Sequence, residues 1–160
     1  MTATRTSEAA LIVFLDLTHF AAESKRAGDA EAADVIDGYY QLVADAIASA
    51  GGRTVKFIGD ATLAVFPEER IDDAAALLLD LVPIVERFMQ QRSWQCELTV
   101  RAHFGVVVAG EFGASGEKHF DVIGQAVNDT ARMASSGITL SREALAKLSP
   151  HVRAKFNGTV

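Results

Sequence analysis

Apolar residues recur along the chain with two periods, one typical of strands and one typical of helices. Residues 11–15 form a continuous apolar run that ends at Asp16, as in a central strand buried on both faces. A helical period follows over residues 30–49, and Gly51 and Gly52 end that helix. Its predicted core stripe, at steps of four, three and four, consists of Ile36, Tyr40, Val43 and Ile47.

The middle of the chain predicts a β-hairpin and a second long helix. Residues 53–58 and 61–66 flank a Gly-Asp pair, a combination common in tight hairpin turns. A helix is expected over residues 72–91, and Pro83 inside it predicts a kink or a break. The stripe predicted to face the core consists of Ile71, Ala75, Leu78, Val82, Val85 and Met89.

The rest of the chain predicts further strands and shorter helices. Apolar and polar residues alternate from Leu98 in a strand that continues towards Gly113, and residues 117–124 form a shorter strand. Residues 125–136 predict a helix, and a short strand and helix follow over residues 137–148.

The resulting order, β α β β α β β α β α, predicts an α+β fold. We expect one mixed or antiparallel sheet with helices packed on one face, built on the ferredoxin-like βαββαβ motif with additional strands and helices. A chain of 160 residues suits a single domain, so residues 1–160 are expected to form one unit.

Composition and charge exclude several classes of protein. The formal net charge is −6 and the pI about 5.1, which argues against a nucleic-acid partner because that would need a basic face. Cys96 is the single cysteine, so an intrachain disulfide is impossible. The longest apolar stretch contains Asp80 and Pro83 and is too short to cross a bilayer. We therefore expect a cytoplasmic protein without direct membrane insertion.

Three aspartates interrupt otherwise apolar segments. Asp16 ends a buried strand, Asp60 lies at the hairpin tip, and Asp121 lies in a short strand just before a helix. Each alone is readily explained as a cap or turn residue. Together they indicate more, because a ferredoxin-like order places the first strand beside the hairpin and brings Asp16 near Asp60. Two adjacent carboxylates repel unless they share a cation, and paired hard cations suit phosphoryl or nucleotidyl transfer.

Four segments resemble one known family. They are VFLDLTHF, GGRTVKFIGDATLAVF, HFGVVVAGEFG and FDVIGQAVNDTARM, and they occur in family order over nearly all of residues 10–145. With them the sequence resembles the catalytic domain of the class III nucleotidyl cyclases, the adenylate and guanylate cyclases. The steps of seven and four from Asp121 to Asn128 and Arg132 make the resemblance specific.

The resemblance implies a role for each matching residue. Asp16 and Asp60 would hold Mg²⁺ or Mn²⁺, two ions per active site. Lys56 and Asp121 would read the base edge, and this Lys/Asp pair resembles the adenine-selecting pattern. A lysine can donate to the adenine N1 acceptor, and an aspartate can accept from the exocyclic amine. The implied substrate is ATP, and the implied products are 3′,5′-cyclic AMP and pyrophosphate.

Further residues are implied for the ribose and the phosphates. Asn128 would orient the ribose, and Arg132 would stabilise charge that develops on the α-phosphate. Phe20 belongs to the run after the first aspartate, where the family's backbone approaches the phosphates. Lys118 lies near the position of a phosphate-binding arginine in some relatives. The resemblance also implies a head-to-tail homodimer with two sites, each shared between both chains.

Two departures from the family keep alternatives open. His19 precedes Phe20 where relatives usually carry Gly, Phe, Thr or Ser, and the chain ends at Val160, where relatives generally continue into strands that carry a phosphate-binding lysine. We therefore expect either a minimal domain or one cut from a longer protein. A non-catalytic nucleotide-binding regulatory domain and a cyclase that uses GTP or a pyrimidine nucleotide are the alternative functions.

Overall fold

A computed structural model describes residues 4–134 and 136–156. The strands are β1 (Thr6–Leu17), β2 (Arg53–Ile58), β3 (Ala61–Pro67), β4 (Leu98–Ala114), β5 (Glu117–Ile123) and β6 (Ile138–Leu140). The helices are α1 (Phe20–Ala27), α2 (Asp29–Ser49), α3 (Ile71–Gln90), α4 (Gln125–Ala131), α5 (Arg142–Lys147) and α6 (Pro150–Ala154), and a 3₁₀ turn spans Glu68–Arg70.

One sheet organises the fold, with strands in the order β2-β3-β1-β4-β5. These neighbours are antiparallel, and β6 pairs in parallel with β4. The first four strands with α2 and α3 form the expected ferredoxin-like motif, so the α+β prediction is confirmed. β1 is central, and both sides of its apolar run are buried, as the unbroken hydrophobic pattern predicts.

Two apolar clusters cover the two sides of this sheet. The main face packs against α2, α3 and α5, whereas the opposite side, here called the α4 face, packs against α4. The expectation that all helices lie on one face is therefore wrong for α4. Its Ala126 and Val127 contact the second cluster, whose buried members are Ala10, Ile12, Leu63, Val65, Val107, Ala109 and Val122.

The buried stripe of α2 differs by one position from the predicted stripe in its first half. Val43 and Ile47 are buried as expected, but the other buried positions are Val35 and Tyr39. Tyr40 is only partly buried. Adjacent residues of a helix point about 100° apart, and steps of three and of four residues both keep side chains on one face. Val43 can therefore share a face with Tyr39, four residues earlier, or with Tyr40, three residues earlier. Which tyrosine is buried depends on the orientation of α2 against the sheet.

Two further helical predictions concern Pro83 and the end of α4. α3 continues through Pro83, so of the predicted kink or break the break is absent. Pro83 is exposed, and water can therefore reach the carbonyl that a prolyl nitrogen leaves without a donor. α4 ends at Ala131, earlier than the predicted end at residue 136, and Ser135 lies outside the described residues. No helix in the described part of the chain has both the length and the apolar character needed to cross a membrane.

Candidate active site

The carboxylates of Asp16 and Asp60 lie together at the end of β1. Asp60 occupies the β2–β3 turn, and its Oδ2 accepts a hydrogen bond of 3.2 Å from the backbone N–H of Leu17. Burial raises the pKa of Asp16, and the charge of Asp60 raises it further. The antiparallel pairing of β1 with β3 produces this proximity, because it places the hairpin tip beside the end of β1.

Arg101 forms an ion pair with the first of these aspartates. Its Nη2 lies 2.8 Å from Asp16 Oδ2, and this contact partly offsets the rise in the pKa of Asp16. The guanidinium also donates to the carbonyl of Ala131, at the end of α4, and lies 5.5 Å from the centre of the Phe14 ring. Only 13% of the Arg101 side chain is exposed. Arg101 therefore links the aspartate pair to the end of α4.

Arg101 is not among the site residues predicted from the sequence, because alternation along β4 assigns it to a solvated face. The register explains its position: Arg101 pairs with Phe14, two residues before Asp16 on the neighbouring strand. Residues on one face of adjacent strands lie within contact distance when they are directly or diagonally opposite. The position of Arg101 could therefore have been predicted only from the correct register of β1 with β4.

Lys56 and Asp121 form a second charged pair. The Nζ of Lys56 lies 2.9 Å from Asp121 Oδ2, and Asp121 Oδ1 accepts a hydrogen bond of 2.8 Å from the N–H of Val122. β2 and β5 stand at opposite ends of the strand order, so this contact shows that the sheet curves enough to bring its edges together. A second contact between these strands places the Arg53 guanidinium 3.4 Å from the centre of the Phe120 ring.

An irregularity in β2 directs Lys56 to this pair. Thr54 pairs with Ala64 but Lys56 pairs with Leu63, so Val55 is an extra residue in the ladder. In a ladder without a bulge, Lys56 would pair with Thr62 and point to the main face. One added residue reverses the side of the sheet to which the following side chains point. With the bulge, Lys56 shares the α4 face with Leu63 and reaches Asp121.

Lys56 and Asp121 line a cavity of about 430 Å³ between β2 and the β4–β5 hairpin. Aromatic side chains from that hairpin form part of its wall. The sequence pattern did not single out these residues as ligand contacts, because along the chain they resemble ordinary strand residues. The full lining consists of Val55, Lys56, Phe112, Gly113, His119, Phe120 and Asp121. The cavity therefore combines the Lys56 and Asp121 charges and the His119 ring with flat apolar surface.

Asn128 and Arg132 lie one turn apart at the end of α4. The backbone N–H of Arg132 donates to the carbonyl of Asn128 at 3.2 Å, and both residues are exposed. Arg132 follows the last residue of α4, and the carbonyl of that residue, Ala131, accepts the hydrogen bond from Arg101. This backbone contact places the Asn128–Arg132 turn beside the strand that carries Arg101.

The contacts that the structure shows for Phe20 and Lys118 are with other residues. Phe20 is the first residue of α1, and its ring packs 5.6 Å from that of Trp94, against the main-face core. The Nζ of Lys118 donates to the carbonyl of Gly113 at 2.8 Å in the β4–β5 hairpin. His19 precedes α1 with a φ of 58°, the left-handed region that glycine adopts most readily.

Asp16 and Asp60 are the candidate metal ligands at this site. No group of three or more histidine, cysteine, aspartate or glutamate residues that could hold an ion occurs among residues 4–134 and 136–156. Magnesium usually takes one or two carboxylates and completes its shell with water and substrate phosphates. The half-buried, mutually repelling pair Asp16 and Asp60 therefore fits a hard divalent cation that binds together with a phosphate-bearing substrate.

A family model and a curated relative assign the chain to the same family. Residues 2–157 match the model described as the adenylate and guanylate cyclase catalytic domain. The chain is 28% identical over 145 residues to adenylate cyclase 2 of Rhizobium meliloti (strain 1021). That match covers 86% of this chain and 40% of the relative, so the chain spans less than half the length of that protein.

Solved structures agree on the fold. The adenylyl cyclase CyaB from P. aeruginosa superposes with a TM-score of 0.84 at 20% identity, over 90% of this chain and 82% of that one. The guanylate cyclase domain of RhGC from Catenaria anguillulae, solved in complex with GTP, superposes with a TM-score of 0.78 at 25% identity. That match covers 91% of this chain and 85% of that one.

Proposed function

Because the chain belongs to the adenylate and guanylate cyclase catalytic domain family, we propose that it converts ATP to 3′,5′-cyclic AMP and pyrophosphate. We place the reaction at two equivalent sites, each shared between two copies of the chain arranged head to tail. The single observation that carries the choice of ATP is the Lys56–Asp121 pair on the wall of the cavity.

The Lys56–Asp121 pair matches the edge of adenine. The ammonium can donate to N1 and the carboxylate can accept from the exocyclic amine, whereas guanine presents an N–H and a carbonyl at the equivalent positions. In the free protein the two groups are bonded to each other at 2.9 Å. A bound base would exchange that contact for two of its own, and the aromatic wall offers a surface on which the base can lie.

Asp16 and Asp60 are the residues that would hold Mg²⁺ or Mn²⁺. When bound, such ions lower the pKa of the ribose 3′-hydroxyl and neutralise charge on the triphosphate. Arg101 lies beside these carboxylates and can share the negative charge of the phosphates once it leaves Asp16. Asn128 would hold the ribose, and Arg132, which is exposed, would stabilise the α-phosphate as charge develops on it.

The hairpin supports the proposal of a shared site. Lys56 contacts β5, but Asp60, four residues later, contacts β1 through Leu17. One short segment therefore contributes to two separate clusters of the same chain. Two copies related by a twofold axis can combine the Asp16–Asp60 cluster of one with the Lys56–Asp121 cluster of the other, and this gives two equivalent sites.

The proposal is tested by turnover of a nucleotide panel. Purified protein is incubated with ATP, GTP, CTP or UTP in Mn²⁺ or Mg²⁺ over a range of protein concentrations, and cyclic nucleotide is measured. We expect cyclic AMP to dominate and specific activity to rise with protein concentration. Asp60→Asn, which keeps the size of the side chain, should abolish product. Binding of ATP without turnover would instead support a regulatory nucleotide-binding domain, and a preference for GTP would refute the assignment of the base-reading pair.

A further inference from the structure

The turn that carries Asp60 is short and lies at the edge of the sheet. Gly59 and Asp60 are the two residues between β2 and β3, and Gly59 has a φ of 61°, which a two-residue hairpin turn requires. β2 is the terminal strand of the sheet, and no β2 residue is fully buried. Within the sheet, this turn is therefore supported by β3 and by the hydrogen bond from Leu17 of β1 to the Asp60 side chain.

Tyr40 of α2 supports the same turn from the main face. Its ring stacks on Phe57 with the ring centres 3.9 Å apart and the planes 16° from parallel. Its hydroxyl donates to the carbonyl of Gly59. Burial and then the charge of Asp60 raise the pKa of Tyr40, so the hydroxyl keeps the proton that this hydrogen bond needs at neutral pH.

The bonded carbonyl belongs to the peptide that joins Gly59 to Asp60. Two-residue turns of different types differ chiefly in the orientation of this central peptide, and glycine permits several of them. A donor fixed on α2 restricts the peptide to one orientation. That orientation sets the direction in which the Asp60 side chain leaves the backbone, and therefore its reach to Leu17 and to the carboxylate of Asp16.

We propose that Tyr40 is a positioning residue that fixes Asp60 for divalent-cation binding by holding the Gly59–Asp60 peptide through its hydroxyl. The inference rests on the proposed function only in taking Asp60 as a cation ligand. It separates the roles of two adjacent tyrosines, because Tyr39 is fully buried in the main-face core and Tyr40 contacts the turn.

Tyr40→Phe is the diagnostic variant, because it keeps the stacked ring and removes the hydroxyl. The matched control is Ser49→Ala, which removes a hydroxyl that donates 2.6 Å to the Ala46 carbonyl on the same helix, before the start of β2 and not at the Gly59–Asp60 turn that follows its end. Mn²⁺ binding is measured by electron paramagnetic resonance of the free ion, with and without a non-hydrolysable ATP analogue, and the ion that the analogue binds in a sample without protein is subtracted. Thermal unfolding is followed in parallel.

We expect Tyr40→Phe to weaken Mn²⁺ binding about threefold to tenfold, the range for loss of one hydrogen bond. Ser49→Ala should bind as the unaltered protein does, although both variants lose one exposed hydrogen bond and should shift in Tm alike. Unchanged Mn²⁺ binding in Tyr40→Phe, or an equal loss in Ser49→Ala, would overturn the proposal. So would an unaltered protein that binds no Mn²⁺.

The same experiment separates this inference from the proposed function. If the unaltered protein binds Mn²⁺ but forms no cyclic nucleotide, the proposed cyclase activity fails, and the binding comparison still decides the role of Tyr40. If cyclic AMP forms, Tyr40→Phe should raise the Mn²⁺ concentration for half-maximal activity by the same factor. The KM for ATP at saturating Mn²⁺ should then stay near its original value, because Lys56 and Asp121 are untouched.

Discussion

Replacing Arg101 with glutamine isolates the positive charge that lies beside Asp16. Glutamine can still donate a hydrogen bond but carries no charge, so the change removes the 2.8 Å ion pair more than it removes packing. Asp16 then keeps its partial burial and the repulsion from Asp60 without a compensating cation. We expect the protein without metal to lose stability.

The exposure of the pair sets the expected size of this loss. Hydrogen bonds to charged groups contribute about 1.5–3 kcal/mol when buried, and exposed ion pairs about 0.2–1 kcal/mol. Arg101 is 13% exposed and Asp16 is 33% exposed, which places the pair between these limits. A loss of about 1–2 kcal/mol is therefore expected, which corresponds to a fall in Tm of about 2–8 °C for a domain of this size.

Thermal unfolding with a double-mutant cycle tests this value. Arg101→Gln, Asp16→Asn and the double variant are unfolded in chelator, and the coupling should exceed the ~0.5 kcal/mol found for independent sites. Arg92→Gln is the control, because Arg92 also lies over a phenylalanine ring and donates to a backbone carbonyl at the surface. Mn²⁺ should stabilise Arg101→Gln more than the unaltered protein, since the ion no longer competes with Arg101. Additive effects, or equal stabilisation by Mn²⁺, would refute this reasoning.

Three further predictions concern the shared site, the base and the core. Lys56→Ala and Asp60→Ala, each inactive alone, should recover part of the activity when mixed, because one site of a heterodimer escapes both changes; no recovery in a demonstrated heterodimer would contradict sharing. Lys56→Glu combined with Asp121→Gly should lower the ratio of ATP to GTP turnover, measured as kcat/KM, and an unchanged ratio would exclude these residues from base selection. Gly52→Ala should cost about 1–3 kcal/mol in chemical unfolding, because an added Cβ would meet the buried Phe66 ring at 2.4 Å; a Tm within 1 °C of the original would argue against this close approach.

Local patterns account for most of the fold. The Gly-Asp pair of the hairpin and the stripes of α2 and α3 predict these elements with ends close to those observed. The continuous apolar run predicts β1, which extends beyond that run in both directions, from Thr6 to Leu17. The structure differs from the predicted stripe where the period leaves a choice, as between Tyr39 and Tyr40, and the helix continues where solvent exposure tolerates an unfavourable residue, as at Pro83. Both depend on how a helix lies against the sheet, which a single segment does not encode.

The sequence by itself determined the family resemblance and so which side chains are proposed for the chemistry: Asp16, Asp60 and Asp121 interrupt apolar segments, and with Lys56 they lie in segments that match one family in order. Only the tertiary structure decided how they are combined. The extra residue Val55 turns Lys56 to the α4 face, and the curvature of the sheet brings β5 within 2.9 Å of it. The physical reason is that strand alternation has a period of two, so one inserted residue reverses a side chain. The inserted residue shows only in the pairing of β2 with β3, and what the redirected side chain meets depends on β5, which is distant along the chain.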